Sequence, residues 1–490
     1  MGPSRIRTAS DRADRDAEVT SGTNTSEAMG AEGFASRTRH SCIVLERDLD
    51  PESRWKSLPL GRRGLNTLSV EAMHRRGLLS NFVDSAERNS FFTKTPGFQF
   101  GGAFAGIMLN LNKVDMTRWK YRLPGPALLP CATSLERIES TLTKRAESLG
   151  VTILRGSSVT KIAAQDDNGV AVETGDGKFY RGKWLVGCDE AKFMGYAVEC
   201  EFDHPEEFEA GFHLTSTGLY IIAPNSMYLV DFDTAAFDRT QDITLEHLQG
   251  VLERQATSYR KGRVLLARDA AHIHGPLGAQ GLNVGLGDAM NLGWKLAATI
   301  QRESASQGSP ADLALLDTYE TERHPVGAWV LEWTRAQVAT TQPDLYGASV
   351  QALIRDLINT TDGTSLFIDR IWGLSQRYSL GDGEAHAHPL VGSSVPDFEL
   401  VDGSRLGSKM EGGRGLLIDF EDDSTLKESV DFERYNSRVD FVKISAKDQC
   451  GLRALLVRPD GIVAWVVEAG ADADINAAKA ALKRWFGSSV

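Results

Sequence analysis

The sequence predicts an α/β fold with more than one domain, and three observations lead there. Its 490 residues are enough for two or three hydrophobic cores. Between Gly262 and Ile300 an apolar run, a glycine-bearing loop and a long amphipathic stretch follow one another, the order of a strand–loop–helix unit. From Gly415 to Trp485 a second set of strand-like runs closes on another helix, set apart by the polar, Gly-rich stretch 381–394.

Composition narrows the function. Lys and Arg number 54 against 66 Asp and Glu, a formal charge of −12, so the clustered basic face that binds nucleic acid is not expected. A small or neutral substrate fits better. Cys42, Cys131, Cys188, Cys200 and Cys450 are scattered, without CxxC or metal-ligand spacing, and read as thiols of a reducing compartment. No run reaches the roughly 20 apolar residues of a membrane span. The start of the chain has neither an apolar signal region nor, with Ile6 in the way, a myristoylation site. A cytoplasmic protein with no membrane partner is expected.

The Gly262–Ile300 unit carries the most chemistry. Val264-Leu265-Leu266-Ala267 suits a buried strand, and the loop after it holds Asp269, Pro276, Gly278 and Gly281. Leu282, Leu286, Ala289, Gly293, Leu296 and Ile300 then recur at steps of three and four, one face of a helix, with Asp288, Asn291 and Lys295 off that face. Unpaired N–H groups and the positive dipole end converge where such a helix begins, which makes an anion site. Asp269, just past the strand, can accept from ligand hydroxyls. A plain structural crossover has the same outline.

Taken in order, the chain begins with 1–40, rich in Ser, Thr, Arg, Asp, Glu and Gly, with Phe34 its only aromatic; disorder is expected. Gly22, Gly30 and Gly33 follow no apolar strand and form no GxGxxG, so a first βα unit is expected to be missing or degraded. Ser41–Arg47 (SCIVLER) reads as a buried strand ending in an acid. In a dinucleotide-binding fold the acid at the end of the second strand accepts from the adenosine ribose hydroxyls, the place Glu46 occupies; a solvated strand end is the plainer reading. Arg62 and Arg63 precede a helix and suit either an exposed loop or a ligand contact. Thr95 to Pro130 alternates like antiparallel strands, and Leu135–Leu149 has helical spacing. Strands are expected at Val151–Ile153, Ser158–Ala163, Val170–Thr174 and Phe179–Val186, with Gly175-Asp176-Gly177 as a hairpin turn. The last of these runs into Asp189.

Further strands are expected at Gly218–Ala223 and Met227–Phe232, then a helix over Thr244–Leu252. Leu313–Trp333 reads as a helix in which Glu322 and Arg323 form an ion pair and His324 precedes a break at Pro325. His272 and His274, two apart in a loop, make poor metal ligands, and no metal is expected. Beyond the 381–394 linker, strands are expected at Gly415–Phe420, Val439–Ile444, Arg453–Arg458 and Ile462–Val467, with Asp460-Gly461 as a hairpin turn and Asp472–Trp485 as the closing helix.

GRVLLARDAAHIHGPLGAQGLNVGLGDAMNLGWKLA resembles the second flavin motif of the FAD-dependent aromatic-ring hydroxylases, single-component flavoprotein monooxygenases of the phenol and polyketide hydroxylase kind. IVLER, LLDTYETERHPV and LLVRPDGIVAW are similar to further segments of that family. The resemblance covers residues 41 to 488 with interruptions. It implies a Rossmann-like FAD/NAD(P)-binding domain over 41–380, with an inserted antiparallel-sheet substrate domain (about 90–130 and 195–253), and a thioredoxin-like C-terminal domain over 395–490. The C-terminal domain lacks CxxC, so packing or homodimerisation is its implied role.

In such a family the cofactor is held by the residues matching Glu46, Arg63, Asp269, Pro276, Gly278, Gly281, Leu282 and Asn283. Asp189 matches the acid of a third motif that touches FAD and is implicated in NADPH binding. The chain departs from the pattern at Glu190 and at Arg268, both glycine in the family, and the Thr244–Gly262 region is shorter. The implied activity is NADPH- and O2-dependent hydroxylation of a phenolic or aromatic polyketide substrate, with no side-chain nucleophile. A non-catalytic relic or scaffold, or a truncated gene product, is the alternative these departures allow. A halogenase would show WxWxIP, which is absent.

Overall fold

The structure is a computed structural model that describes residues 18–21, 42–53, 56–58, 60–83, 96–188, 196–199, 211–214, 218–223, 226–231, 255–272, 277–278, 280–305, 312–342, 344–381, 388–421 and 424–487. Its centre is a six-stranded sheet in the order β16 (Arg260–Lys261), β17 (Val264–Leu266), β11 (Leu185–Gly187), β1 (Glu18–Ser21), β2 (Cys42–Glu46) and β7 (Thr152–Arg155). All neighbours run parallel except the β16 edge. The order reverses direction between β1 and β11, and open sheets of this kind bind ligands outside the carboxyl ends of the strands at that point.

β1 corrects the expectation of disorder over 1–40. Val19 registers against Ile43 on one side and Leu185 on the other. Four residues, Glu-Val-Thr-Ser, carry too little apolar character to be seen by hydrophobicity, yet Val and Thr suit a strand that two neighbours pair. The first strand is therefore present. The rest of 1–40 lies outside the described residues.

Smaller sheets surround this one. β3 (Arg62–Leu65) pairs with β6 (Cys131–Ser134), so Arg62 and Arg63 stand on a strand rather than in a loop. β4 (Phe100–Phe104) pairs with β5 (Ile107–Asn110). β8 (Val159–Asp166), β9 (Gly169–Thr174) and β10 (Phe179–Gly182) form an antiparallel meander whose β9–β10 turn has Gly177 at φ +78°. The single strand expected over Phe179–Val186 is two: the buried Trp184 separates β10 from β11, and they belong to different sheets. β12 (Tyr196–Glu199), β15 (Ser226–Asp231), β14 (Gly218–Ala223) and β13 (Gly211–Leu214) make the antiparallel sheet of the inserted domain. The helix expected at Thr244–Leu252 lies outside the described residues.

Helices pack on these sheets. α1 (Thr67–His74) is capped by Asn66 and α2 (Leu135–Ser148) by Ser134, each side chain accepting from an N–H of the first turn. α3 (Gly281–Ala305) is buried on nearly every face. α4 (Ala314–Thr340) runs unbroken through Pro325, where a break was expected. Proline there gives no N–H toward Thr321, but burial of Glu322, Arg323, Val330 and Leu331 on α4 holds the helix together. α5 (Leu345–Ile358) and α6 (Thr361–Trp372) follow. Among the described residues no helix is long and apolar enough to cross a membrane.

The C-terminal unit is a four-stranded sheet in the order β19 (Val439–Lys443), β18 (Gly415–Asp419), β20 (Leu452–Val457) and β21 (Val463–Glu468). β18 and β19 run parallel and the other pairs antiparallel, with α7 (Ser424–Ser429) and α8 (Ile475–Phe486) completing a thioredoxin-like fold. Its core is not closed off. Trp294, Leu315, Tyr378 and Leu380 share one cluster with Trp465, Leu482 and Trp485. The expected linker also packs in part, since Leu390 and Ser394 are buried.

Candidate functional site

Because β1, β2, β11 and β17 are parallel, Ser21, Glu46, Gly187 and Leu266 end on one edge of the sheet. Glu46 is buried there and accepts from the Asp48 N–H at 2.7 Å. Burial pushes its carboxyl up to about 7, with the Asp48 hydrogen bond opposing the shift.

Past β17 the chain makes a tight turn, Arg268–Ala270, and Asp269 lies in it, half-buried. Asp288, fully buried on α3, holds that turn. Its Oδ2 accepts from the Arg268 N–H at 2.9 Å and from His272 Nε2 at 2.7 Å; its Oδ1 accepts from Arg323 Nε at 2.7 Å. Burial would raise the Asp288 carboxyl, yet Arg323 and His272 hold it down to about 2. With Asp288 ionised, His272 Nε2 is the donor. Arg323 is fixed in turn, donating to the Val284 carbonyl at 2.9 Å and to the Tyr378 hydroxyl oxygen at 2.8 Å.

The loop before α3 is held from another side. Gly278 has φ +80°, and a Cβ there would come within 2.9 Å of the Gln337 amide nitrogen. Gln337 of α4 donates to the Leu277 carbonyl at 3.2 Å and accepts from the Ala105 N–H at 3.2 Å. Gly281 and Leu282 open α3, half-buried. Asn283 faces protein: its Oδ1 accepts from Asn66 N–H at 2.8 Å and Ser69 Oγ at 2.7 Å, and its Nδ2 donates to the Gly64 carbonyl at 3.0 Å. That ties the first turn of α3 to β3, where Arg63 stands half-buried beside Gly64. Asp189, Glu190, His274 and Pro276 lie outside the described residues.

Arg268 stands where the resemblance puts glycine, and it keeps the left-handed backbone, φ +55°, that glycine adopts at least cost. Its side chain lies along α3: a Cβ on Gly285 would come within 2.8 Å of Arg268 Cγ. The larger residue is thus accommodated by a glycine one turn into the helix.

Two groups escaped the sequence reading. Glu322 and Arg323 do not pair with each other. Arg323 serves Asp288, while Glu322 meets Lys295 of α3 at 3.0 Å and Arg458 of the C-terminal unit at 2.7 Å. Asp288, Asn291 and Lys295, off the apolar face, are nevertheless buried. The available signal was a polar i, i+3, i+7 stripe on a helix otherwise apolar all round, which demands buried partners. A cavity of about 520 Å³ starts beside Gln280 and Asn283 and is walled by Leu68 of α1, Leu286 of α3, Trp329 of α4 and Gln376.

A parallel sheet with an acid ending its second strand and a helix starting past its fifth, on either side of the switch point, has the outline of a dinucleotide-binding α/β protein. Residues 233–334 match the family described as FAD binding domain, and 388–489 that described as aromatic-ring hydroxylase, C-terminal. A monooxygenase of Claviceps purpurea (strain 20.1) is 42% identical over 91% of this chain and 93% of its own. The rifampicin monooxygenase of Streptomyces venezuelae is 31% identical over 91% of this chain and 94% of its own. Among solved structures, the anhydrotetracycline hydroxylase OxyS from Streptomyces rimosus superposes with a TM-score of 0.73 at 29% identity, over 97% of this chain and 99% of its own. The chain belongs to the FAD-dependent aromatic-ring hydroxylases, a family of flavoprotein monooxygenases. These comparisons give no support to the non-catalytic alternative.

The residues at the strand ends fit FAD. Glu46 and Asp269 offer carboxylate acceptors for hydroxyl groups and the start of α3 offers N–H donors for a phosphate, while the Gly278 turn is packed against Gln337.

Proposed function

We propose that this protein is a monooxygenase that uses FAD, NADPH and O2 to hydroxylate a phenolic or aromatic polyketide substrate in secondary metabolism. The observation that carries the reading is the convergence of Glu46, the Asp269 turn and the start of α3 on the carboxyl edge of one parallel sheet, in a chain of this family. Glu46 would accept from the adenosine ribose hydroxyls and Asp269 from the ribityl chain, and the backbone at Gly278 and from Gln280 to Leu282 would hold the pyrophosphate and ring. Arg63 supplies a cation. Asn283 contributes by fixing the start of α3 against β3 and α1. Asp189 and Pro276 keep their roles in this proposal by sequence position.

Bound FAD, reduced by NADPH, supplies the oxygen chemistry, in which one atom of O2 enters the aromatic ring and the other leaves as water. What the chain does is hold and orient. Asp288 keeps the Asp269 turn against α3, so the acceptor is in place before the cofactor arrives. The cavity beside Gln280 and Asn283 has the volume of a small-molecule site, and apolar walls such as Leu286 and Trp329 suit an aromatic ligand.

The test is anaerobic and then aerobic. FAD-loaded protein is expected to be bleached by NADPH without oxygen, and with oxygen to convert a phenolic polyketide to a product heavier by one oxygen atom. Flavin that NADPH never reduces, with any such compound present, contradicts the proposal.

A further inference from the structure

The cavity beside Gln280 and Asn283 carries positive charge that the protein itself does not neutralise. Of the charged side chains along it, Glu71, Arg75, Glu322, Arg323 and Asp460 each have an oppositely charged partner within 3.4 Å. Asp369 accepts from Trp119 Nε1 at 2.9 Å. Arg370 and Arg377 remain, and among the described residues neither has a carboxylate at ion-pair distance.

Arg370 is nevertheless held in place. Trp329 and Trp333, one turn apart on α4, stack with ring centres 5.7 Å apart and planes 22° from parallel. The Arg370 guanidinium reaches over from α6 and lies 5.8 Å from the Trp329 ring centre and 6.0 Å from that of Trp333. Such contacts engage the charge through the ring faces, and they leave the N–H groups in the guanidinium plane to water or a ligand. Arg377, past the end of α6 at Gly373, is fixed through Nε, which donates to the Val391 carbonyl at 2.6 Å. A seated guanidinium with its fork of donors open is the complement of a carboxylate, which it binds through two parallel hydrogen bonds. In a chain of formal charge −12, two arginines without counter-charge along one cavity call for an anion that arrives with the ligand.

The remaining walls say what else that ligand is. The cavity follows α3 from Gln280 to Asn291, about 16 Å at the helical rise per residue. Leu286 and the Trp329 indole form apolar surface along it, and a flat aromatic system stacks on such a ring.

We propose that the ligand of this cavity is an aromatic acid, whose ring system lies against Trp329 and Leu286 and whose carboxylate is bound by Arg370, with Arg377 adding positive charge. The inference rests on reading the cavity as the substrate site, and it narrows the substrate to phenolic or polyketide rings that carry a carboxylate.

Equilibrium dialysis of the FAD-loaded full chain, without NADPH, tests it with a hydroxyanthraquinone carboxylate and its methyl ester as probes. Wild type is expected to bind the acid roughly tenfold more tightly than the ester, the worth of a hydrogen-bonded charge pair, and to lose that preference as salt is raised. In Arg370→Gln the acid is expected to weaken about tenfold while the ester stays within about twofold. Arg370→Lys, which keeps the charge and loses the fork, is expected to fall between. Equal binding of acid and ester by wild type overturns the proposal. So does binding of neither probe, or an Arg370→Gln variant that weakens both alike. Turnover with NADPH and O2 is scored separately: acid preference without hydroxylation of either probe contradicts the proposed reaction and upholds the ligand class, whereas equal kcat/KM on acid and ester upholds the reaction and overturns the ligand class.

Discussion

Arg458 of the C-terminal unit meets Glu322 of α4 through two parallel hydrogen bonds, Nη1 to Oε1 at 2.7 Å and Nη2 to Oε2 at 2.8 Å, with both side chains out of contact with solvent. Asn291 donates to the same carboxylate at 2.6 Å and Lys295 stands 3.0 Å away. The Arg458 guanidinium also lies 4.4 Å from the Trp485 ring centre. One carboxylate therefore joins α3, α4 and the thioredoxin-like unit into a single packed body. Removing it takes from Lys295 its carboxylate partner and leaves Arg458 with Asp460 alone.

Glu322→Gln is expected to destabilise the chain by about 3–5 kcal/mol, the usual cost of breaking a buried pair from one side. Urea unfolding followed by tryptophan fluorescence, with Trp294 and Trp485 at the junction, measures it. Burial would raise the Glu322 carboxyl, but Arg458 and Lys295 hold it down to about 2. A folded pKa below the unfolded value of 4.5 means stability present above pH 4.5 and lost as pH falls toward 2. In the Gln variant that acid-side loss is expected to shrink.

Asp288→Asn is expected to weaken FAD binding at least tenfold with the fold retained. Asparagine keeps the shape of the side chain but gives up the charge that faces Arg323 and His272, so the Arg268–His272 turn loosens and Asp269 with it. Fluorescence titration with FAD gives the affinity, and circular dichroism the fold.

Arg268 and Gly285 are expected to behave as a matched pair. Arg268→Gly relieves a left-handed residue and is expected to raise FAD affinity severalfold. Gly285→Ala, whose Cβ would lie 2.8 Å from Arg268 Cγ, pushes the arginine stem off the helix and is expected to lower affinity. In the double variant the Ala penalty is expected to vanish. Additive effects in this cycle would show that the two positions are independent.

Glu46 gives a pH dependence. Its carboxyl, raised to about 7 by burial, must be ionised to accept from two ribose hydroxyls. Binding therefore draws its pKa down, and FAD affinity is expected to rise as pH increases through 7, by on the order of tenfold from pH 6 to pH 8. For the cofactor-free chain the sign is opposite: the contribution is present below pH 4.5 and lost as pH rises through 7. Calorimetric titration at the two pH values checks it, and Glu46→Gln is expected to flatten the profile.

Where the sequence was readable, periodicity or turn chemistry made it so. The α3 face, the α2 helix and the Asp460-Gly461 hairpin, with Gly461 at φ +85°, match their patterns because local spacing decides them. β1 was hidden because its support is backbone pairing from β2 and β11, which Glu-Val-Thr-Ser does not advertise. The partners of Glu322 and Arg323 were hidden because adjacent residues on a helix point 100° apart, so two neighbouring opposite charges serve different neighbours. Asn283 was legible as part of a motif, but its hydrogen bonds to Asn66, Ser69 and Gly64 cross more than 200 residues. Such contacts exist only in three dimensions.

The most direct test of the cofactor assignment is the visible absorption spectrum of the purified protein after incubation with FAD and desalting, beside the Asp269→Ala variant. Flavin bands at one equivalent per chain in wild type, absent from the variant, are the expected result. A wild-type protein that emerges colourless, or a variant that retains stoichiometric flavin, contradicts the placement of FAD at this edge of the sheet.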